Sequence, residues 1–593
     1  MDEAAQPMLL LTAPQETLPF DGYLDEALRS EGWCLHEHLR AEAGVTAADL
    51  AGHTVVVISA GAARVLDPEV VKNYVRGGGR ALAVRPPRHW APLFGLVART
   101  AETYATLRDG YLRVREEHAW LRDFPAVDLQ CPGEADVYEP GVGQPLAWLA
   151  GQRGEPTAFP AAACERIGAG VAVMLAWDLA EVLVALHQGD PARASTGADP
   201  DANRDGKFTA DDLFEGRRDF GLRHAPQADA YGDLLTRVLH GLTADELPLP
   251  RLWHFPDAAP GLLLVDGDGD SMNRDDLRAT VETCERHDAR FGFFLMDEQL
   301  ATFEPQEIGE LRARGHSFGP HPWISFRPSV GDWRAGVERI TAEFGARFGF
   351  APTSVRMHSC ILPGWDEAPR LLADLGLRLE TSFLEGYRHQ SGFLNGSALP
   401  VRFVDREGRV LDCWEQSTVL GDDTMVTTKT MLPPRSEEQC IELSLQLMRE
   451  LAGRWHGVFH PYFHPINVGG RGRINTVRWL ECVLSEAGRL GMPAPSPDGW
   501  LRFTQARRAT RIHGLRWDPA ARELHFSLLS GEAIQGLTLL LPHYAGRRPE
   551  RAAAEGNALD LGPVEHEGLG WSMLVLDLAA GARTTVCVGY PDS

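Results

Sequence analysis

Leu262-Leu263-Leu264-Val265-Asp266-Gly267-Asp268-Gly269-Asp270 sets the fold of this chain. A short apolar run that ends in a Gly/Asp cluster reads as a buried strand of a parallel sheet, over residues 262–265, with its acids at the strand end. At the two-residue period of a strand, Asp266, Asp268 and Asp270 share one face. Outward from it, residues 291–296 read as a second strand one helix later. Gly315-His316-Ser317-Phe318-Gly319-Pro320-His321 comes next, and Ser354-Val355-Arg356-Met357-His358 ends a further strand. Behind that lie a helix over 366–375 and a strand over 377–383. Val458-Phe459-His460-Pro461-Tyr462-Phe463-His464-Pro465 closes the series. Strands alternating with helices predict a (β/α) architecture, and acids and imidazoles at successive strand ends converge at one face of a barrel.

The rest of the chain divides around this region, which spans 251–505. Residues 1–185 alternate strands (8–11, 55–59, 80–84) with helices (23–30, 68–75) and predict a flavodoxin-like, doubly wound α/β domain. Residues 186–250 form a polar connector with a helical end over 231–242. Within the connector, Asp201, Asn203 and Asp205 stand at alternate positions, followed by Gly206, Lys207, Phe208 and Asp212. Calcium takes six to eight hard oxygens, and this spacing supplies them, with the Lys207 carbonyl as the backbone ligand and Gly206 for the tight turn. Residues 506–593 carry strands at 523–529, 536–541, 572–576 and 584–589 and predict a C-terminal β-sandwich.

Composition narrows the partners. Lys and Arg number 58 against 82 Asp and Glu, a formal charge of −24 over 593 residues. Such an acidic chain lacks the basic footprint that nucleic acids and anionic membranes need, and suits carbohydrates and divalent cations. The nine cysteines are scattered with no CxxC pair, which favours a reducing, cytoplasmic setting. No apolar stretch reaches the ~20 residues of a membrane span.

The five motifs of residues 251–505 together resemble the polysaccharide deacetylase superfamily, of the carbohydrate esterase family 4 type, on a distorted (β/α) barrel. The resemblance implies a metal-dependent hydrolase, with zinc the expected ion, that deacetylates an N- or O-acyl sugar. In that scheme Asp268 is the general base, Arg356 orients a carboxylate and His464 is the late acid. The family's second Asp falls on Gly269, so Asp266 or Asp270 replaces it as a metal ligand. His321 matches the first ligand His. Ser325 stands where the second is expected, and His358 is the candidate replacement. His460 is a further metal candidate, and the choice between His460 and His464 for the acid is open. The first 185 residues resemble class I glutamine amidotransferase domains, with no Cys in Ala83-Val84-Arg85-Pro86-Pro87 where the nucleophile belongs. Cys131 lies later, in a stretch read as a loop. That domain is expected to be non-catalytic, with either a structural role or one in homo-oligomeric assembly. The loop at 201–212 resembles a dockerin-type EF-hand loop, with Asp212 in place of the usual Glu.

Two other functions fit the sequence. The shifted ligand set also suits a non-catalytic carbohydrate-binding or scaffolding protein. A glycoside hydrolase would need a pair of carboxylates, for which Glu380, Glu415 and the Asp266 cluster are available. Trp323, Trp365, Tyr387 and Trp414 are candidates to stack on sugar rings. His316 is expected to brace its turn, and His36 and His38 to mark an exposed helix start.

Overall fold

A computed structural model describes residues 5–14, 18–41, 44–99, 105–385, 390–427, 432–564 and 570–591. Tyr387 lies outside the described residues. Among the described residues no helix is long and apolar enough to cross a membrane.

The N-terminal sheet has nine strands, and its two halves differ. Met8–Thr12 lies between His36–Arg40 and Val55–Ile58, all parallel, and Arg80–Val84 joins Val55–Ile58 to Gly170–Leu175 in the same sense. Met8–Thr12 and Val55–Ile58 are apolar runs of the sequence, buried on both faces by helices such as Tyr23–Ser30 and Pro68–Arg76, whereas the edge strand His36–Arg40 is polar and mostly exposed. The other half is antiparallel, in the order Pro156–Ile167, Gln144–Ala150, Thr106–Val114, Leu129–Asp136. A doubly wound sheet was expected throughout; these antiparallel strands replace its crossover helices over residues 106–167, before Gly170–Leu175 returns to the parallel sense. His36 and His38 belong to a strand rather than a helix start, with His36 Nε2 held 2.6 Å from Asp25 Oδ1. Cys131 is likewise in a strand, where burial pushes its thiol up to about 12 and removes its nucleophilicity.

The central barrel is built from two arcs. One runs Ser317–Pro320, Phe291–Leu295, Val265–Asp268, Pro461–Tyr462, Leu420–Gly421, all parallel. The other runs Ser354–Val355, Leu379–Glu380, Val410–Glu415, with Val401–Val404 antiparallel at its edge. Hydrogen bonds join the arcs, among them His358 N to Pro322 O at 3.1 Å on one side and Thr418 N to Phe383 O at 2.9 Å on the other. Helices Arg274–Glu285, Val330–Phe348, Glu437–Glu450 and Val477–Leu490 cover the outside. Leu262–Leu263 is a separate short strand, paired with Val458–Phe459, so the opening motif makes two strands rather than one.

The glycines of the Asp-Gly-Asp-Gly-Asp run have a steric reason. A Cβ on Gly267 would meet the Phe463 carbonyl oxygen at 1.7 Å, and one on Gly269 would meet the Phe294 carbonyl oxygen at 2.6 Å. Neighbouring backbones close on the strand at both points, and the acids between them project from the other face.

The C-terminal region contributes two antiparallel sheets. Arg511–Asp518, Glu523–Leu529, Arg583–Gly589, Arg551–Ala554 and Asn557–Leu559 form one. Ile534–Pro542, Trp571–Leu578 and Gly562–Val564 form the other, and Arg251–Leu252 adds a strand to its edge. The residues that open the barrel region are thereby tied to the end of the chain.

Candidate active site

Asp266 is fully buried at the end of its strand. Its Oδ1 accepts from Arg356 Nη2 at 2.7 Å, and its Oδ2 lies 2.9 Å from His460 Nε2. Burial opposes its ionisation, but Arg356 and His460 outweigh that and hold the carboxyl below the usual range. The other ring nitrogen of His460 lies 3.3 Å from the Gln416 carbonyl oxygen. Asp266 and His460 were expected among the metal ligands. The structure pairs them with each other, and His460, with both nitrogens on oxygen acceptors, has none left for an ion.

One step further out, Asp268 faces Arg356 Nε at 3.3 Å and His321 Nε2 at 3.6 Å. Arg356 therefore spans both acids, and its Nη2 also donates to Thr418 Oγ1 at 2.9 Å. A planar guanidinium in this position fixes two carboxylates at once, which a Lys ammonium does not.

Asp270, His321 and His358 form a group with converging ligand atoms. His321 Nε2 is 3.5 Å from Asp270 Oδ1, and His358 Nε2 is 3.4 Å from Asp270 Oδ2. Zinc–ligand bonds of ~2.0–2.3 Å at tetrahedral angles put ligand atoms about 3.3–3.5 Å apart, so the group fits such an ion. Its buried polar atoms are also left without hydrogen-bond partners, namely Asp270 Oδ1 and His321 Nε2. The Nδ1 of His321 donates to the Arg356 carbonyl oxygen at 2.8 Å, which fixes the tautomer and turns the Nε2 lone pair to the site. Burial disfavours the His321 imidazolium, but Asp268 and Asp270 outweigh it and raise the imidazole above its ordinary range. Burial likewise opposes the charge of Asp270, and His321 and His358 outweigh it and hold that carboxyl low.

A second pair faces Asp268. His464 Nδ1 lies 2.7 Å from Asp422 Oδ1, and Asp422 Oδ2 accepts from the His464 amide at 3.0 Å and from Asn467 Nδ2 at 2.8 Å. Burial works against the imidazolium, yet Asp422, Asp423 and Asp268 hold His464 well above its ordinary range. Asp423 accepts from the Tyr462 hydroxyl, and burial raises its carboxyl. Asp422, Asp423 and Thr418 escaped the sequence reading. Their signal was an Asp pair after a short apolar run, Thr418-Val419-Leu420-Gly421, too brief to read as a strand end.

The rim is aromatic. Trp323 is 40% exposed and Phe326 47% exposed, and the Trp323 ring lies 4.7 Å from that of His358. Trp365 and Trp414 are buried, at 3% and 5%, and offer no open ring face. His316 braces its turn: Nδ1 accepts from Phe291 N at 3.0 Å and Nε2 lies 3.2 Å from Glu285.

Glu380 and Glu415 are fully buried and paired in register on adjacent strands. Burial, and then Glu380, hold Glu415 well above the carboxylate range. Neither borders an open cleft, so the glycosidase reading loses these carboxylates.

In the connector, Asp201, Asn203, Asp205 and Asp212 are turned to local partners. Asp212 accepts from the Asn203 and Thr209 amides, both at 3.1 Å, and burial pushes its carboxyl up to about 7. Asn203 Oδ1 accepts from Asp205 N at 3.0 Å, and Asp205 Oδ1 from the Lys207 amide at 2.9 Å. Asp201 pairs with Arg327. These carboxylates are not among the described groups whose ligand atoms gather within 4.8 Å. The loop does touch the rim: Phe208 N donates to Phe326 O and Phe208 O accepts from Leu362 N, both at 2.9 Å.

No family model and no curated protein matches the sequence. Among solved structures, the chain is similar to a presumptive polysaccharide deacetylase from Mycobacterium smegmatis, at 13% identity over 43% of this chain and 92% of that one, with a TM-score of 0.33. It is similar to the peptidoglycan deacetylase PdaC from Bacillus subtilis at 12% identity, over 42% of this chain and 96% of that one, with a TM-score of 0.26. The β-galactosidase from Rahnella sp. R3 matches at 15% identity over 29% of each chain, with a TM-score of 0.23. Likenesses this distant leave the chemistry to the site's own residues.

Proposed function

We propose that this chain is a metal-dependent hydrolase that removes an acyl group from a carbohydrate amine or hydroxyl. The observation that supports it is the Asp270–His321–His358 group lying beside Asp268, with the charged His464–Asp422 pair on the other side. Asp270, His321 and His358 would hold a divalent ion. When bound, such an ion polarises an acyl oxygen and makes water a competent nucleophile near neutral pH.

The chain's own groups do the rest. Asp268 takes the proton of the attacking water, and Arg356 keeps its carboxylate aimed. His464 holds a proton on Nε2, because Asp422 occupies Nδ1, and delivers it to the departing amine or alkoxide. Trp323 and Phe326 offer ring faces for a sugar. Asp201, Asn203, Asp205, the Lys207 carbonyl and Asp212 would bind calcium on reorienting, which would fix the rim through Phe208.

The test is acetate release from N-acetylated chito-oligosaccharides and from peptidoglycan fragments, with and without a chelator. Zinc-dependent release that disappears in His321→Ala is expected. Glycan binding without turnover, in protein shown to hold the metal, would instead favour the binding-protein reading.

A further inference from the structure

Glu523, His525 and Cys587 form a group on the C-terminal sheet, far from the barrel in sequence, whose ligand atoms lie within 4.8 Å of one another. Their placement follows from the pleat. Glu523 and His525 are two residues apart on one strand and share a face, and Cys587 stands directly opposite His525 on the antiparallel neighbour. The intervening Leu524, Phe526, Val586 and Val588 point to the buried core. The outer face thus carries a carboxylate, an imidazole and a thiol side by side, each partly exposed.

The spacing is that of metal ligands. His525 Nε2 lies 3.2 Å from Glu523 Oε2 and 4.0 Å from Cys587 Sγ. A tetrahedral zinc with ~2.0 Å nitrogen and oxygen bonds and a ~2.3 Å sulfur bond would need about 3.3–3.5 Å between these atoms. Side-chain rotation of a few tenths of an ångström closes the difference. Arg551 Nη2 holds the other oxygen, Glu523 Oε1, at 2.6 Å, which leaves Oε2 turned to His525.

We propose that Glu523, His525 and Cys587 bind a zinc-class divalent ion at a second site that clips strand Glu523–Leu529 to strand Arg583–Gly589. A thiolate in the ligand set selects zinc over calcium or magnesium and separates this site from the all-oxygen connector loop and from the Asp/His/His group of the barrel. Binding displaces one proton, from the Cys587 thiol to solvent, as the sulfur–metal bond forms.

Cobalt(II) titration of chelator-treated full-length protein tests the site, because thiolate ligation gives a near-ultraviolet charge-transfer band that oxygen and nitrogen ligands do not. The wild type is expected to show the band, and Cys587→Ser to lose it along with one equivalent of bound zinc in equilibrium dialysis. His525→Ala is expected to weaken that equivalent at least tenfold. His321→Ala is expected to leave the band intact, which keeps this outcome separate from that of the barrel site. Absence of the band in the wild type, or equal zinc uptake by wild type and Cys587→Ser, overturns the proposal.

Discussion

His464 Nδ1 stands 2.7 Å from Asp422 Oδ1, inside a barrel mouth that also holds Asp268. Burial alone would strip the imidazole of its proton, and Asp422 reverses that. His464 should therefore stay protonated well above the ~6.5 of an ordinary histidine, and the alkaline limb of kcat/KM should lie correspondingly high. Asp422→Asn is expected to move that limb down towards ~6.5 and to cut kcat roughly 10²–10⁴-fold. The same pair links stability to pH. A folded pKa raised above the unfolded value stabilises fully below the unfolded pKa, and this contribution is lost as pH rises through the folded one. Denaturation midpoints across alkaline pH should fall in the wild type and flatten in Asp422→Asn.

Arg356 divides structure from catalysis. Arg356→Ala leaves the buried Asp266 with His460 alone on its second oxygen and its Oδ1 without the guanidinium, and should cost about 3–5 kcal/mol. Arg356→Lys keeps the charge but cannot span Asp266 and Asp268 with one planar group. It is expected to fold, with kcat lowered on the order of 10²-fold by a misplaced base. Steady-state kinetics alongside thermal denaturation checks both halves, and a Lys variant with full activity would remove Arg356 from the account.

Gly267→Ala places a methyl group 1.7 Å from the Phe463 carbonyl oxygen, a backbone atom that cannot swing aside. A loss of about 3 kcal/mol is expected. Gly488→Ala is the contrast: nothing lies within 4 Å of the added Cβ, and the helical position should gain up to about 1 kcal/mol. Urea denaturation of the two variants should show opposite signs.

Calcium should act through the connector. Millimolar calcium is expected to raise the melting temperature, with about 2.7 kcal/mol available at a hundredfold excess over Kd. Magnesium, smaller and reluctant to dehydrate, should do less. Asp205→Ala should abolish the shift, and an unchanged wild-type melting curve in calcium would dispose of the site.

The barrel was legible in the sequence because its strands are buried on both faces. The run at residues 291–296 is apolar throughout and the observed Phe291–Leu295 follows it closely; in the N-terminal sheet Arg80–Val84, apolar after its first residue, was read the same way. The antiparallel strands between Thr106 and Ile167 went unread because they mix polar, Pro and Gly residues along half-exposed faces. In the site, Asp268, Asp270, His321, His358 and Arg356 come together where strand-end spacing placed them. Asp266 and His460 could not be told apart from ligands by spacing, because only the Arg356 fork decides which acid it neutralises. Asp422 follows a two-residue strand, Leu420–Gly421, too short to carry a period.

Zinc stoichiometry and acetate release measured together on one preparation, in the wild type and in His321→Ala, test the central claim most directly. In a Cys587→Ser background, which removes the C-terminal group, the chain should hold one zinc and release acetate from an N-acetylated glycan. The added His321→Ala change should abolish both. Acetate release that persists undiminished with no bound metal, or zinc uptake indifferent to His321, would contradict it.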